Sequence, residues 1–198
     1  MNRAITALAA LALLLGAVGP SAAQDPTVKN AEIKSVETPA DATLQAGLDA
    51  GFYYADFKTI PNMASYVARA KPTSRKVLVQ LNDNSPDGQI FESGAKELYG
   101  FRAIGWLKFP SAGDWKLAVI SNDGVRITIG GQTIIEDPAI HPDRDSGDSL
   151  VKVAAPGYVP IEVLYFQRKG TAALELYWTP PGGARTLVPK DAYWSKKG

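Results

Sequence analysis

"YGFRAIGWLKFPSAGDWKLAVISNDGVRITIGGQTIIED", residues 99–137, decides the fold, because its hydrophobic period is two. Trp115-Lys116-Leu117-Ala118-Val119 and Val125-Arg126-Ile127-Thr128-Ile129 alternate apolar residues with polar or small ones. Successive side chains of an extended chain point to opposite faces, so each segment offers one apolar face to a core. Turn chemistry separates them at Ser111-Ala112-Gly113-Asp114, Asn122-Asp123-Gly124 and Gly130-Gly131. The second and third of these read as hairpin turns.

The same pattern extends in both directions. Phe101 to Phe109, Tyr158 to Gln167 and Leu174 to Trp178 are further strands, bounded by Pro156-Gly157, Lys169-Gly170 and Pro180-Pro181-Gly182-Gly183. Short alternating strands with frequent turns predict an all-β domain, an antiparallel β-sandwich or barrel. One segment departs from it. Met63, Tyr66, Val67 and Ala70 fall at helical spacing after Pro61 and before Lys71-Pro72, predicting one short helix packed on the sheet.

The N-terminus reads differently from the rest. Arg3 precedes an apolar run from Ile5 to Val18, Pro20 breaks it, and Ser21-Ala22-Ala23 supplies small residues. That order is a secretory signal peptide over residues 1–23, and its apolar run of about fourteen residues is shorter than the roughly 20 a bilayer demands. Residues 24–46 are polar, carry two prolines and read as a linker or loosely held arm. The domain proper spans 47–194, with 195–198 as a tail. With no cysteine, the chain holds no disulfide, and 175 residues after the leader suffice for one self-supporting core. The formal charge is +1, and removing Arg3 brings it to zero. A neutral chain without a basic run argues against nucleic acid, and the absence of an amphipathic basic segment argues against membrane insertion after leader removal.

The strands together are similar to a known family. "GLDAGFYYADF", the core "GWLKFPSAGDWKLAVISNDGVRITIGG", "PGYVPIEVLYFQRKG" and the closing "LELYWTPPG" occur in the order of the protective-antigen-type domain, PA-fourteen, a β-sandwich of toxins, glycosidases, adhesins and lectins. The resemblance covers about residues 47–193. It implies a binding domain rather than an enzyme, with a carbohydrate or glycoconjugate as partner at the bacterial envelope. A metal-independent module contacting an envelope protein is the alternative. In the sugar-binding members, two consecutive acids joined by a cis peptide hold calcium at the corner corresponding to Asn122-Asp123. The resemblance therefore makes Asp123 and Asn122 candidate calcium ligands and sugar contacts. Asn122 replaces an acid and removes one charge, which weakens a hard-cation site.

Other candidates follow from the residues themselves. Arg168-Lys169-Gly170-Thr171 is a short cationic loop, poor for metal but suited to hydroxyls or acidic sugars. Trp106 shares its strand face with Arg102, Ile104 and Lys108, so it is a candidate sugar platform, whereas Trp115 and Trp178 belong to the core. Tyr193 and Trp194 are further aromatic candidates. The loop from Glu136 to Asp148 is the most polar in the chain and carries Asp143, Asp145 and Asp148, without the spacing of an EF-hand. It reads as a solvated hairpin loop, or as a partner to Asp123 if it folds that way. His141 is the single histidine, too few donors for zinc without cysteine, and the residues form no serine triad or cysteine nucleophile.

Overall fold

The computed structural model describes residues 24–34, 36–37, 39–40 and 43–198, and the leader segment lies outside them. In chain order the strands are β1 (Thr27–Val28), β2 (Ala31–Ile33), β3 (Leu44–Ala46), β4 (Leu48–Tyr54), β5 (Ser74–Leu78), β6 (Asn82–Ser85), β7 (Tyr99–Phe109) and β8 (Gly113–Ser121). They continue with β9 (Val125–Ile129), β10 (Gln132–Asp137), β11 (Arg144–Asp145), β12 (Ser149–Val153), β13 (Gly157–Gln167), β14 (Ala172–Thr179), β15 (Thr186–Leu187) and β16 (Tyr193–Lys196). One helix, α1 (Ile60–Val67), falls between β4 and β5.

These strands form a two-sheet sandwich. The larger sheet runs β1-β10-β9-β13-β7, and the far edge of β7 is shared by β4 and β16, with β5 outside β4 and β3 outside β16. The smaller runs β15-β14-β8-β12-β2, with β6 also on β14 and β11 also on β8. Only β2 and β12 pair in parallel among the described residues. Between the sheets lie the apolar positions read from the alternation: Trp115, Leu117 and Val119 of β8, and Val125, Ile127 and Ile129 of β9, all fully or almost fully buried. Trp115 packs 4.7 Å from the Trp178 ring and 5.2 Å from Phe109, centroid to centroid.

The connection at Asn122-Asp123-Gly124 differs from the expected hairpin. β8 pairs with strands of the smaller sheet and β9 with β10 and β13 of the larger, so the chain crosses the sandwich here. The same apolar alternation serves either geometry, because both strands point their core residues at the same interior from opposite walls. Gly130-Gly131 is the true hairpin: both residues have positive φ (56° and 77°), and Ile129 pairs with Gln132.

The outer surface of the larger sheet is partly covered. Thr59 caps α1 by accepting from the Asn62 amide at 3.2 Å, and Pro61 fits the first turn, where its missing N–H costs nothing. The helix buries Ile60 and Met63 on Tyr53, Leu164 and Phe166. It ends at Val67, short of Ala70, and Tyr66 stays 40% exposed with its ring edge-on to Tyr53 and Phe57. The described residues between 24 and 46 dock on the sandwich: β1 extends the larger sheet, Ala31 and Ile33 of β2 bury on the smaller, and Glu37 bridges to Tyr158. Ser195 and Lys196, read as tail, continue β16.

A Cβ on Gly124 would lie 2.2 Å from the buried Phe166 ring, which α1 prevents from moving aside. Gly124→Ala is expected to cost about 1–3 kcal/mol through overpacking, read as a lower urea midpoint at unchanged slope.

Candidate functional site

The crossing corner is closed to solvent. Asp123 takes the left-handed conformation (φ 59°), which aspartate tolerates better than most residues, and is 2% exposed. One carboxylate oxygen accepts the Arg168 backbone N–H at 2.6 Å, and the Asp123 N–H donates to the His141 carbonyl at 3.0 Å. Burial raises the Asp123 carboxyl above its ordinary value, and the Arg168 amide and His141 offset only part of that. Asn122, 5% exposed, donates from Nδ2 to Asp143 Oδ1 at 2.7 Å and to Thr171 Oγ1 at 3.0 Å. Its amide is oriented by that carboxylate, since the opposite flip would set two oxygens against each other.

The 136–148 loop folds onto this corner, where the sequence reading allowed a solvated loop. Asp137 and His141 are buried, and His141 Nδ1 lies 2.8 Å from the Pro142 carbonyl. His141 Nε2 is 2.9 Å from Asp137 Oδ2 but out of line for a hydrogen bond. Burial works to raise the Asp137 carboxyl, yet His141 and Arg144 outweigh it and hold it below its ordinary value. Arg144 Nε donates to Asp137 at 2.6 Å. Arg168 of the cationic loop is occupied in turn, its Nε donating to Asp56 at 3.0 Å, while Lys169 is exposed.

This donor set does not fit calcium. Among the described residues every peptide bond is trans, and no three His, Cys, Asp or Glu side chains converge on a metal position. The Asn122 amide nitrogen, a donor, sits between Asp143 and Thr171 where a cation would need to accept their lone pairs. Asp123 is committed to a backbone amide. Asn122, Asp123, Asp143, Thr171 and the Arg168 backbone thus come together as a hydrogen-bonded latch.

Trp106 lies elsewhere, on the outer face of the larger sheet. Strand register arranges that face in three levels. Arg75, Arg102 and Arg126 share one, with Gly51 and Leu164 between them. Asp49, Ile104, Glu162 and Thr128 form the next. Trp194, Trp106 and Pro160 form the third. Arg75 pairs with Asp49, Arg102 with Glu162 at 2.8 Å, and Arg126 with Glu136 at 2.6 Å. Over the second and third levels opens a groove of about 490 Å³. The Trp106 indole donates from Nε1 to Glu37 Oε2 at 2.6 Å, so the docked arm fixes the ring. The Pro160 carbonyl accepts from Gly130 at 2.8 Å. The Pro160 nitrogen faces that same side, where the β9 ladder has already ended.

The residues from 44 to 192 match the model of the PA14 domain. The chain belongs to the PA14 domain family. No curated protein matches it. Solved structures share the fold of this PA14 domain at low identity. The PA14 domain of the MpAFP antifreeze protein superposes with a TM-score of 0.66 and 15% identity, covering 82% of this chain and 96% of that one. The PA14 sugar-binding domain from an RTX adhesin gives 0.64 and 18%, covering 77% and 99%. The Epithelial Adhesin 9 A domain from Candida glabrata, in complex with Galβ1-4GlcNAc, gives 0.63 and 13%, covering 86% and 97%. No helix of the described residues is long and apolar enough to cross a membrane.

The structure thus divides the sequence candidates of this PA14 domain into a closed corner and an open groove. Trp115 and Trp178 are core, and Tyr193 is fully buried, which removes it as a sugar platform. Trp194 donates to the Asp191 carbonyl beside the Tyr158 ring. Glu37, Asp49 and Glu162 were not singled out in the sequence; their one local signal is the Pro160-x-Glu162 pair interrupting an otherwise apolar strand.

Asp123→Asn tests the latch. A carboxyl raised by burial makes folding costlier once ionised, so the cost is complete above the folded value and disappears below the unfolded value near 3.9. The melting temperature of Asp123→Asn relative to wild type is expected to rise with pH from about 3.9 upward and then level off, with or without chelator. A calcium ligand would instead show a variant that loses a calcium-dependent rise.

Proposed function

We propose that this PA14 domain is an exported, non-catalytic carbohydrate-recognition module of the bacterial envelope, working without a metal, with the Trp106 groove as its sugar site. The observation that carries this reading is an indole held at the edge of a groove lined by the carboxylates of Glu37, Asp49 and Glu162 and the Arg102 guanidinium. A pyranose ring has C–H faces that pack on an aromatic surface and hydroxyls that both donate and accept. Fixed carboxylates supply acceptors, and an arginine fork supplies donors in set directions. The PA14 sugar-binding domain from the RTX adhesin and the Candida glabrata domain in complex with Galβ1-4GlcNAc, both of this fold, support a carbohydrate ligand. The leader-like residues 1–23 support export.

At the corner, burial of Asn122 and Asp123 and the Arg168–Asp56 pair leave Lys169 as the exposed side chain of the earlier candidate set. Those residues act here as scaffold. The test is a glycan array followed by titration of the best neutral sugar. Trp106→Ala is expected to weaken binding about tenfold or more, the scale of one lost aromatic contact with its buried area. Its melting temperature should fall by no more than about 2–4 °C, the scale of about 1 kcal/mol for a half-buried side chain outside the core, and chelator should change nothing. Binding that survives Trp106→Ala, or that vanishes on chelation, contradicts the reading.

A further inference from the structure

The groove does not end at Trp106. Its floor crosses the strands, from Asp49 of β4 through Ile104 of β7 and Glu162 of β13 to Thr128 of β9. Beyond Thr128 a second hollow of about 330 Å³ continues over β10 and β1, lined by Thr133, Glu136, Thr27 and Arg126 among others. Between the two stands a saddle formed by the facing hydroxyls of Thr128, which lines the first, and Thr133, which lines the second, 3.4 Å apart. From β4 to β1 the depression spans five strand-to-strand steps, about 24 Å at ordinary sheet spacing. That is several sugar rings long, whereas the indole lies in the first hollow alone.

The guanidinium charges along it are matched within the protein, and Lys196 and Lys29 line its margins outside those ion pairs. Each of the three arginines facing this surface, Arg75, Arg102 and Arg126, is held by a carboxylate of a neighbouring strand. Along the floor a charged polymer would have to break those pairs to gain its own, at a desolvation cost that partners already in place do not incur, and among the described residues lining it an anionic one would find unpaired cations only at Lys29 and Lys196. Hydroxyls can add hydrogen bonds to the outer lone pairs and N–H groups of intact pairs. Along the strand direction the surface is flanked by α1 over Leu164 and Phe166 and by the arm at Glu37, which leaves a channel rather than a flat patch.

We infer that the ligand of this face is the interior of a neutral polysaccharide chain, laid across the strands, with a ring on Trp106 and further rings past the threonine saddle. This rests on the carbohydrate reading above and adds the length and charge of the ligand. The chain contacts are cumulative, so affinity should grow with the number of linked rings.

The probes are neutral oligosaccharide series of two to six units from β-glucan, N-acetylated chitin and β-mannan, with polygalacturonate as an anionic comparison, titrated on the full mature chain. The expected result is that the hexasaccharide of one neutral series binds at least about tenfold more tightly than its disaccharide. Thr133→Tyr, which fills the second hollow, should remove most of that gain and leave the disaccharide unchanged. Thr128→Val, which takes away one saddle hydroxyl and adds little volume, should remove a smaller part. Equal affinity for disaccharide and hexasaccharide, still lost in Trp106→Ala, would overturn the chain proposal and leave the sugar site standing. Polygalacturonate binding as tightly as the neutral hexamer would overturn the neutral assignment. If no neutral series binds, or Trp106→Ala has no effect on any that does, the carbohydrate reading falls and the chain proposal with it.

Discussion

The sandwich depends on a backbone crossing that has little room. Between Ser121 and Val125 the chain leaves one sheet and enters the other in three residues, Asn122, Asp123 and Gly124. Each does a different job. Gly124 has no side chain because the Phe166 ring occupies that space. Asp123 accepts the turned backbone conformation and ties the crossing to the start of the Arg168 loop. Asn122 joins Asp143 to Thr171, so that two loops from different parts of the chain close over the same point. A buried polar group is tolerable only when its hydrogen bonds are made, and here they are made inside the protein. The corner that looks most like a binding site from its residue types is therefore spent on holding the sheets together.

With that end closed, the proposed ligand face is the outer surface of the larger sheet. β13 shows why a groove forms there. Its inward side chains, Val159, Ile161, Val163 and Tyr165, lie in the sandwich core. Its outward ones are covered at both ends, by α1 over Leu164 and Phe166 and by Trp194 beside Tyr158, and are half-buried between, at Pro160 and Glu162. A strand buried on both faces reads as a continuous apolar run, and Tyr158 to Phe166 does so except at Pro160 and Glu162, which line the groove. Covering the ends while leaving the middle polar makes a channel from what is otherwise a plain sheet surface.

Much of this was legible before the structure. The alternation in residues 99–137 located the core strands, and the burial of Trp115, Leu117, Val125 and Ile127 follows it residue by residue. Trp106 fell on the open face because its parity matches Arg102. The crossing at Asn122 did not show itself, since two strands that face one core give the same pattern whether they are neighbours or opposite walls. The docking of the described residues between 24 and 46 was hidden for a related reason: isolated pairs such as Ala31 and Ile33 are too short to register as a strand, and their burial depends on where β12 lies. The groove was least visible. Asp49, Arg102, Glu162 and Thr128 are separated widely in the chain and meet only through the strand order β4-β7-β13-β9, which no local signal encodes.

The central claim is that ligand enters the Trp106 groove and leaves the Asn122–Asp123 corner untouched. Nitrogen-resolved NMR reads both at once during titration of a neutral oligosaccharide. The four tryptophan indoles give separable signals, with Trp106 identified by its loss in Trp106→Phe. The account predicts progressive shifts of the Trp106 indole and of amides around Thr128 and Glu162, while the Asn122 side-chain amide and the Arg168 backbone amide stay in place. Shifts centred on Asn122, Asp123 and Arg168, with the Trp106 indole unmoved, would contradict it.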